Sequence, residues 1–435
     1  MTLLQYDSYI QRLQSLDLLQ VVGKVIQVVG LVVEAQVQGV SIGELCKIQI
    51  DSQKSILSEA VGFKEEKVLL MPLGTLGGIK PGSRIYATGN PIRVKVGPQL
   101  LGRVLDGLGA PMDDKGELEF DCYYGIDQDP PDPVKRPRIS EALKTGVKAI
   151  DGVLTLGKGQ RIGIFAGSGV GKSTLMGMLA RNCEADVNVI SLVGERGREV
   201  KDFIEESLGE EGLKKSVVIC ATSDQPPVIR LKGAMVGTSI AEYFRDQGKN
   251  VLFMMDSVTR FAMAQREIGL ATGEPPTTKG YTPSVFAMLP RLMERAGTSD
   301  KGSITAIYTV LVEGDDADEP IADATRGILD GHIMLSRNLA SKNHYPCIDI
   351  GHSVSRLFPV ITTKDHQQSV GRLREILARY YEAEDLINIG AYVKGSNPKI
   401  DNAIEKIDDV TSFLQQGTHD IESFDTTVQT LQSLF

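Results

Sequence analysis

The stretch that decides the fold reads Arg161-Ile162-Gly163-Ile164-Phe165-Ala166-Gly167-Ser168-Gly169-Val170-Gly171-Lys172-Ser173 and continues into Thr174-Leu175-Met176-Gly177-Met178-Leu179-Ala180. An apolar strand, a glycine-rich loop ending in Gly-Lys-Ser and an apolar helical pattern form the order that a phosphate-binding loop requires. Glycines let backbone N–H groups turn towards phosphate oxygens, and the helix N-terminus adds partial positive charge. The sequence therefore predicts nucleotide binding at this loop.

The residues of this loop divide into backbone and side-chain ligands. Lys172 is expected to reach the outer phosphates and Ser173 to bind Mg²⁺. The general pattern has glycine at its first position, where this chain has Ala166, and a methyl group fits there only if the φ angle is not positive. The remaining predicted nucleotide contacts are Gly167, Ser168, Gly169, Val170, Gly171 and Thr174.

Composition excludes several classes of protein. The 435 residues are enough for about three domains, and a net charge of -9 disfavours a constitutive nucleic-acid binder such as a helicase. The five cysteines are widely spaced without a CxxC pair, which argues against disulfides and zinc and favours a reducing cytosol. The histidines lack metal-ligand spacing. Without a long apolar run or a signal-peptide core, the chain is expected to be neither exported nor membrane-spanning.

Changes in pattern along the chain predict four parts. Residues 1–20 form an amphipathic segment that packs either on the chain itself or on a partner. Short β-branched runs separated by glycine turns predict a small β-barrel over 21–90, which we interpret as an assembly collar. Residues 91–362 form the central α/β part, with a proline-rich extended linker near residues 129–138. Residues 363–435 show helical spacing and predict a small helical bundle.

The central part alternates strands with helices, as a parallel sheet does. Ligands of such sheets lie beyond the carboxyl ends of the strands. The predicted core strands are Arg161–Phe165, Val187–Val193, Val217–Thr222, Val251–Asp256, Ser303–Val312 and His332–Ser336.

Two of these strand ends carry charged residues. Asp256 ends an apolar strand, as expected of an acid that orients Mg²⁺ and its waters. After the strand ending at Val193 comes Gly194-Glu195-Arg196-Gly197-Arg198-Glu199, in which a carboxylate could polarise the attacking water and a guanidinium could meet phosphate. From the residues alone, this loop is equally consistent with charges that face solvent.

Five motifs together resemble the flagellar and type III secretion ATPases, relatives of the catalytic subunits of rotary ATP synthases. The resemblance covers nearly the whole chain, and the family shares alanine at the first loop position. The motifs are 154–161 (LTLGKGQR) leading into the phosphate loop, 194–199 (GERGRE), 256–260 (DSVTR), 280–286 (GYTPSVF) and 311–316 (LVEGDD).

The resemblance implies a RecA-like α/β core between the barrel and the helical bundle, in a homohexameric ring with ATP sites at subunit interfaces. Glu195 matches the carboxylate that activates water, and Arg196 and Arg260 match residues near the γ-phosphate. Arg356 matches an arginine finger inserted into the neighbouring subunit's site. Tyr345 matches the aromatic residue that stacks on adenine. The implied cofactors are ATP and Mg²⁺, the ion being held by Ser173 and, through water, by Asp256.

The family's partners are implied in the same way: a central stalk, a stator, secretion chaperones and export substrates. The protein is expected in the cytoplasm at the base of a membrane-embedded secretion apparatus, peripheral to the membrane and without nucleic acid. The acidic residues 315–320 (DDADEP) depart from the family's usual Asn-Asp-Pro ending.

Three alternatives share the nucleotide loop. A rotary ATP synthase subunit is disfavoured by the shorter chain and by Ala166, and a Rho-like RNA translocase by the acidic net charge. A structural ring subunit that binds nucleotide without hydrolysing it would keep Lys172 and Ser173 but have no need of Glu195.

Overall fold

A computed structural model describes residues 21–312 and 319–435 of the chain. Its internal contacts define two compact units. One extends to Arg93 and includes Glu267–Pro275, and the other comprises Val94–Arg266 and Pro276–Phe435. The predicted segment 1–20 and acidic residues 315–318 lie outside the described residues, and the boundaries proposed at 90/91 and 362/363 remain predictions.

The first unit is built on an antiparallel barrel. Its strands are β1 (Val22–Val29), β2 (Val32–Gln36), β3 (Glu44–Gln49), β4 (Ser55–Lys64), β5 (Lys67–Pro72) and β6 (Arg84–Pro91). They close in the order β1-β2-β5-β4-β3-β6, which confirms the predicted barrel. Aliphatic side chains that alternate along the strands fill the interior, among them Val33, Ile48, Leu70 and Ile85. Closure pairs every strand on both sides, so that the barrel has no free edge.

The second unit is organised around a mostly parallel sheet. The strands that follow the barrel are β7 (Arg93–Val96), β8 (Val104–Asp106), β9 (Cys122–Gly125), β10 (Ala142–Leu143), β11 (Leu156–Gly157), β12 (Arg161–Ala166), β13 (Val187–Val193), β14 (Ser216–Ala221), β15 (Asn250–Asp256), β16 (Gly297–Thr298), β17 (Ser303–Leu311), β18 (Gly331–Leu335) and β19 (Ile348–Ser355). The main path of the sheet runs β19-β18-β12-β17-β15-β13-β14-β8. Only β19 on this path is antiparallel to its neighbour.

All six predicted core strands are confirmed to within one residue at each end. These strands are continuous apolar runs because they are buried on both faces of the sheet and need no polar side. Every residue of β13 and β14 is buried. Sequence reasoning missed β19. That strand alternates buried and exposed residues along part of its length and forms the edge of the sheet.

Helices cover the sheet and form the C-terminal part. They are α1 (Lys148–Val153), α2 (Lys172–Asn182), α3 (Gly197–Asp202), a π-helical turn (Phe203–Leu208), α4 (Gly209–Lys214), α5 (Pro227–Asp246), α6 (Val258–Thr272), α7 (Pro283–Met293), α8 (Pro320–Ile328), α9 (Arg337–Ser341), α10 (Phe358–Ile361), α11 (Lys364–Asn388), α12 (Pro398–Leu414) and α13 (Phe424–Ser433). The last three confirm the predicted helical C-terminus. Asn397 caps α12 and Ser423 caps α13 by accepting backbone N–H bonds. Among the helices of the described ranges, none is both long and apolar enough to cross a bilayer.

Arg295 and Glu242 form an ion pair in the interior of the second unit, with side chains only 3% and 2% exposed. Nε and Nη2 of Arg295 donate to the two carboxylate oxygens at 2.9 and 2.7 Å. Replacing Arg295 with methionine is expected to lower the free energy of unfolding by about 3–5 kcal/mol, because Glu242 is left charged and buried without its partner. Urea denaturation measures this loss.

A matched control is Arg291→Met. The Arg291 side chain is 54% exposed and pairs with Asp127 at 3.3 Å, and exposed pairs contribute at most about 1 kcal/mol. An Arg295→Met loss no larger than that of Arg291→Met would contradict the prediction.

Candidate active site

The phosphate loop connects the end of β12 to the start of α2. Gly169 and Gly171 have φ angles of 80° and 83°, a region that glycine enters without steric penalty. Ala166 is the last residue of β12, is buried and is not among the non-glycine residues with positive φ. The methyl group at the first position of the loop is therefore accommodated in ordinary strand geometry.

A cavity of about 710 Å³ opens over this loop. The structure brings together here most of the predicted site residues, from the loop and from the carboxyl ends of β13 and β15. They are Gly167, Ser168, Gly169, Gly171, Lys172, Ser173, Thr174, Glu195, Arg196, Asp256 and Arg260. Val170 is buried and faces a neighbouring cavity instead.

Lys172 lies between two carboxylates. Its Nζ forms a hydrogen-bonded ion pair with Oδ1 of Asp256 and lies 3.6 Å from Oε1 of Glu195. Thr309, on the neighbouring strand β17, donates its hydroxyl to the same Oδ1 at 2.6 Å. Burial would lower the pKa of Lys172, but the two carboxylates more than offset it and hold the pKa above its ordinary value. Lys172 is therefore cationic at neutral pH.

Glu195 carries the most perturbed carboxyl group of the cavity. Burial, reinforced by the negative charge of Asp256 and by Glu199, raises its pKa to about 7 although Lys172 opposes the shift. Its Oε1 is buried and accepts no hydrogen bond. A buried carboxylate oxygen that accepts no hydrogen bond carries a desolvation penalty, and a water molecule in the cavity would relieve it by donating one.

The two arginines of the cavity differ in surroundings. Arg196 is 80% exposed at the side chain and lies 3.7 Å from Glu199. Arg260, on α6, has a buried Nε without a hydrogen-bond partner. Both side chains line the cavity. Their guanidinium groups add positive charge, which suits the binding of phosphate oxygens.

Tyr345 lies in a second, largely apolar cavity of about 270 Å³ on the other side of the loop. A Cβ atom built on Gly171 would be 3.8 Å from Cε1 of Tyr345, so the ring lies directly beside the loop, and it is 44% exposed. Phe413 does not line this cavity and is buried against Gly152. The cavity walls are Val170, Gly171, Thr174, Leu175, Met178, Leu335, Tyr345, Pro346, Cys347, Gln416 and Thr418.

Arg356 is the predicted site residue that lies outside both cavities. It is exposed just after β19, its backbone N–H donates to Asp330 at 3.0 Å, and Nη2 lies 3.4 Å from the carbonyl of Arg326. The structure therefore does not bring Arg356 into its own chain's phosphate cavity.

Sequence reasoning missed two charged residues of the cavity, Glu199 and Arg337. Nε and Nη2 of Arg337 lie 3.0 Å from the position of a Cβ on Gly167, so the guanidinium packs against the phosphate loop. Arg337 begins α9 just after β18, and the rule that ligands lie beyond strand ends could have identified it. Glu199 belongs to the motif 194–199 quoted above, but no sequence pattern distinguished it from an acidic residue that faces solvent.

The oxygen donors of the phosphate cavity suit a hydrated divalent cation. Within 21–312 and 319–435, no three His, Cys, Asp or Glu side chains cluster as a metal site. The hydroxyl of Ser173 and the carboxylate of Asp256 are among the oxygen donors that line the phosphate cavity. This combination fits Mg²⁺, which retains waters and takes phosphate oxygens in place of a full protein cage.

The sheet order, the glycine loop after β12 and the acid at the end of β15 define a phosphate-loop nucleoside triphosphatase with a RecA-like core. Family models match three stretches of the chain: the ATP synthase alpha/beta β-barrel domain at 25–89, the nucleotide-binding domain of that family at 146–355, and the type III secretion EscN ATPase C-terminal domain at 362–433.

Individual relatives narrow the class to one family. The chain is 56% identical to the flagellum-specific ATP synthase of Bacillus subtilis over 98% of both chains. It is 53% identical to the type 3 secretion system ATPase of Xanthomonas euvesicatoria over 95% of this chain and 93% of the relative. The assembled ATPase EscN of enteropathogenic E. coli superposes with a TM-score of 0.90 at 46% identity, over 95% of this chain and 99% of EscN. The chain belongs to the flagellar and type III secretion ATPases, which confirms the predicted family, fold class and ATP hydrolase activity.

Proposed function

We propose that this ATPase works as a homohexameric ring at the cytoplasmic base of a flagellar or virulence-type secretion apparatus. It hydrolyses Mg·ATP to support chaperone release, unfolding and export of secreted proteins. The observation that carries the proposal is the phosphate cavity, in which Lys172, Asp256 and Glu195 converge while Arg356 lies outside it. In this arrangement a neighbouring subunit would supply the arginine that the cavity lacks.

The predicted residues of the two cavities have these proposed tasks. Backbone N–H groups of 167–174 bind the phosphates, and the cationic Lys172 neutralises their charge. Ser173 and, through water, Asp256 would hold Mg²⁺, which neutralises charge on the phosphate oxygens when bound. Oε1 of Glu195, which accepts no hydrogen bond from the protein, accepts one from the attacking water and orients it. Arg196 and Arg260 bind oxygens of the outer phosphate, and Tyr345 stacks on adenine.

Assembly and partners are proposed from the relatives. EscN has been solved both assembled and in complex with its central stalk EscO, at TM-scores of 0.90 and 0.88 to this chain. We therefore propose that identical subunits form a ring around a central stalk protein. The ring would also bind a stator protein, and secretion chaperones would dock on it with their cargo. In this ring Arg356 of one subunit completes the site of the next.

Export in the source cell tests the function. Exchanging the chromosomal copy for Lys172→Ala is expected to abolish secretion of filament or needle subunits, because the phosphates lose their buried cation. The matched control is Lys201→Ala, since the Lys201 side chain is 72% exposed and pairs with Glu205 at 3.7 Å. Export by the Lys172→Ala strain at the level of the Lys201→Ala strain would refute the proposal.

The pH dependence of hydrolysis follows from Glu195. Since the carboxylate is the active form and its pKa is raised to about 7, kcat/KM is expected to rise about tenfold per pH unit below that value and to level off above it. Steady-state phosphate release across this range measures the profile. Glu199→Gln removes a group that raises the pKa of Glu195, so its profile should move to lower pH. A flat wild-type profile through pH 7 would count against Glu195 as the base.

A further inference from the structure

The apolar cavity beside Tyr345 is walled on one side by residues 415–420, the segment that follows α12. Gln416 and Thr418 of this segment line the cavity together with the tyrosine. Gln416 is polar yet only 8% exposed, so its amide must find partners inside the protein.

Every hydrogen-bonding group of that amide is engaged. Oε1 accepts the backbone N–H of Lys148 at 2.8 Å. Nε2 donates to the carbonyls of Gly146 and Asp420, both at 2.8 Å. One side chain thus ties the segment to the turn that starts α1, some 270 residues earlier in the chain.

The backbone of the same residue reaches the tyrosine. The N–H of Gln416 donates to the carbonyl of Tyr345 at 2.9 Å. Two residues later, the carbonyl of Thr418 accepts a hydrogen bond at 2.6 Å from Arg181, near the end of the helix that begins at the phosphate loop. The segment is therefore fixed to the tyrosine and to α2 at the same time.

We propose that Gln416 is a positioning residue for the nucleotide base: its amide network holds residues 415–420 and the backbone of Tyr345 as a preformed wall against which the base packs. The inference rests on the proposed role of this cavity as the base site. By this role, Gln416 in the C-terminal part of the chain contributes to the affinity for the base, whereas the phosphate loop contributes to the affinity for the phosphates. Loss of the network loosens the wall for the base but leaves the phosphate cradle intact.

Comparing ADP with inorganic pyrophosphate separates these two parts of the site. With Mg²⁺ present, Gln416→Ala is expected to raise the Kd for ADP about tenfold. This is the change in Kd that corresponds to the loss of one to two buried hydrogen bonds. The Kd for pyrophosphate should stay within about twofold, because pyrophosphate has no base. Isothermal titration calorimetry on the full chain measures both constants. In turnover, KM for ATP should rise and kcat should change little.

Two further variants complete the test. Gln416→Glu keeps the size and the acceptor for Lys148 but places an oxygen against two carbonyls, so it should give the same selective loss even if the alanine variant folds poorly. Gln432→Ala is the matched control, since Gln432 is exposed on α13 and does not line the cavity, and it should bind both ligands as wild type does. An equal loss of ADP and pyrophosphate binding, or no loss of either, would overturn the inference.

Tyr345→Ala distinguishes failure of the inference from failure of the base site itself. If this variant binds ADP as wild type does, the cavity is not the base site. If Tyr345→Ala weakens ADP binding selectively and the Gln416 variants do not, only the positioning role of Gln416 is wrong.

Discussion

Replacing Arg356 with alanine is expected to slow ATP hydrolysis by roughly 10³–10⁵-fold, the range that an arginine finger contributes. Affinity for nucleotide should change little, since the side chain is exposed and lies outside the phosphate cavity of its own chain. The guanidinium would act only where charge develops on the transferred phosphoryl group of a neighbouring site. Phosphate release and nucleotide binding, measured on the same preparation, check the two halves of this expectation.

Mixing two inactive variants tests whether the site is shared. Lys172→Ala lacks the phosphate-loop cation and Arg356→Ala lacks the finger. In a mixed ring, an intact loop of one variant can face an intact arginine of the other, so mixing should restore part of the activity. If Arg356 acts within its own chain, the mixture stays inactive, and that result would exclude the shared site.

The dependence of wild-type activity on concentration gives a second readout of the same model. Specific activity should rise with protein concentration as rings form, and Arg356→Ala should remove the rise. Arg379→Ala is a control for loss of an arginine outside both cavities, because Arg379 is half-buried on α11 and pairs with Glu382. Wild-type activity that stays constant down to the monomer would contradict assembly of the site between subunits.

Glu195→Gln is expected to reduce kcat by roughly 10²–10⁴-fold, the usual contribution of general-base catalysis. The amide keeps the shape of the side chain but cannot take a proton from the attacking water. Nucleotide binding should be retained, because Lys172 keeps its ion pair with Asp256. Single-turnover hydrolysis with enzyme in excess measures the chemical step directly.

Glu205→Gln is the matched control for Glu195→Gln. The Glu205 side chain is 62% exposed and pairs with Lys201 at 3.7 Å, so its replacement should leave the rate unchanged. Phosphate release by Glu195→Gln at the control's rate would favour a ring subunit that binds nucleotide without needing this carboxylate.

The fold was largely predictable because its signals are local. A buried parallel strand needs an unbroken apolar run, and six such runs gave the core strands to within one residue. The edge strand β19 lacked that signal, since its exposed positions interrupt the apolar run.

The sequence by itself determined the phosphate loop, because glycine conformation, strand and helix are properties of consecutive residues. Tertiary structure decided which charges meet there. Lys172 pairs with Asp256 84 residues away, since β12 and β15 both flank β17 in the sheet. The burial that raises the pKa of Glu195, the packing of Arg337 on the loop and the Gln416 network depend equally on groups far apart in the chain. Chain folding alone brings them together, and no local pattern encodes that proximity.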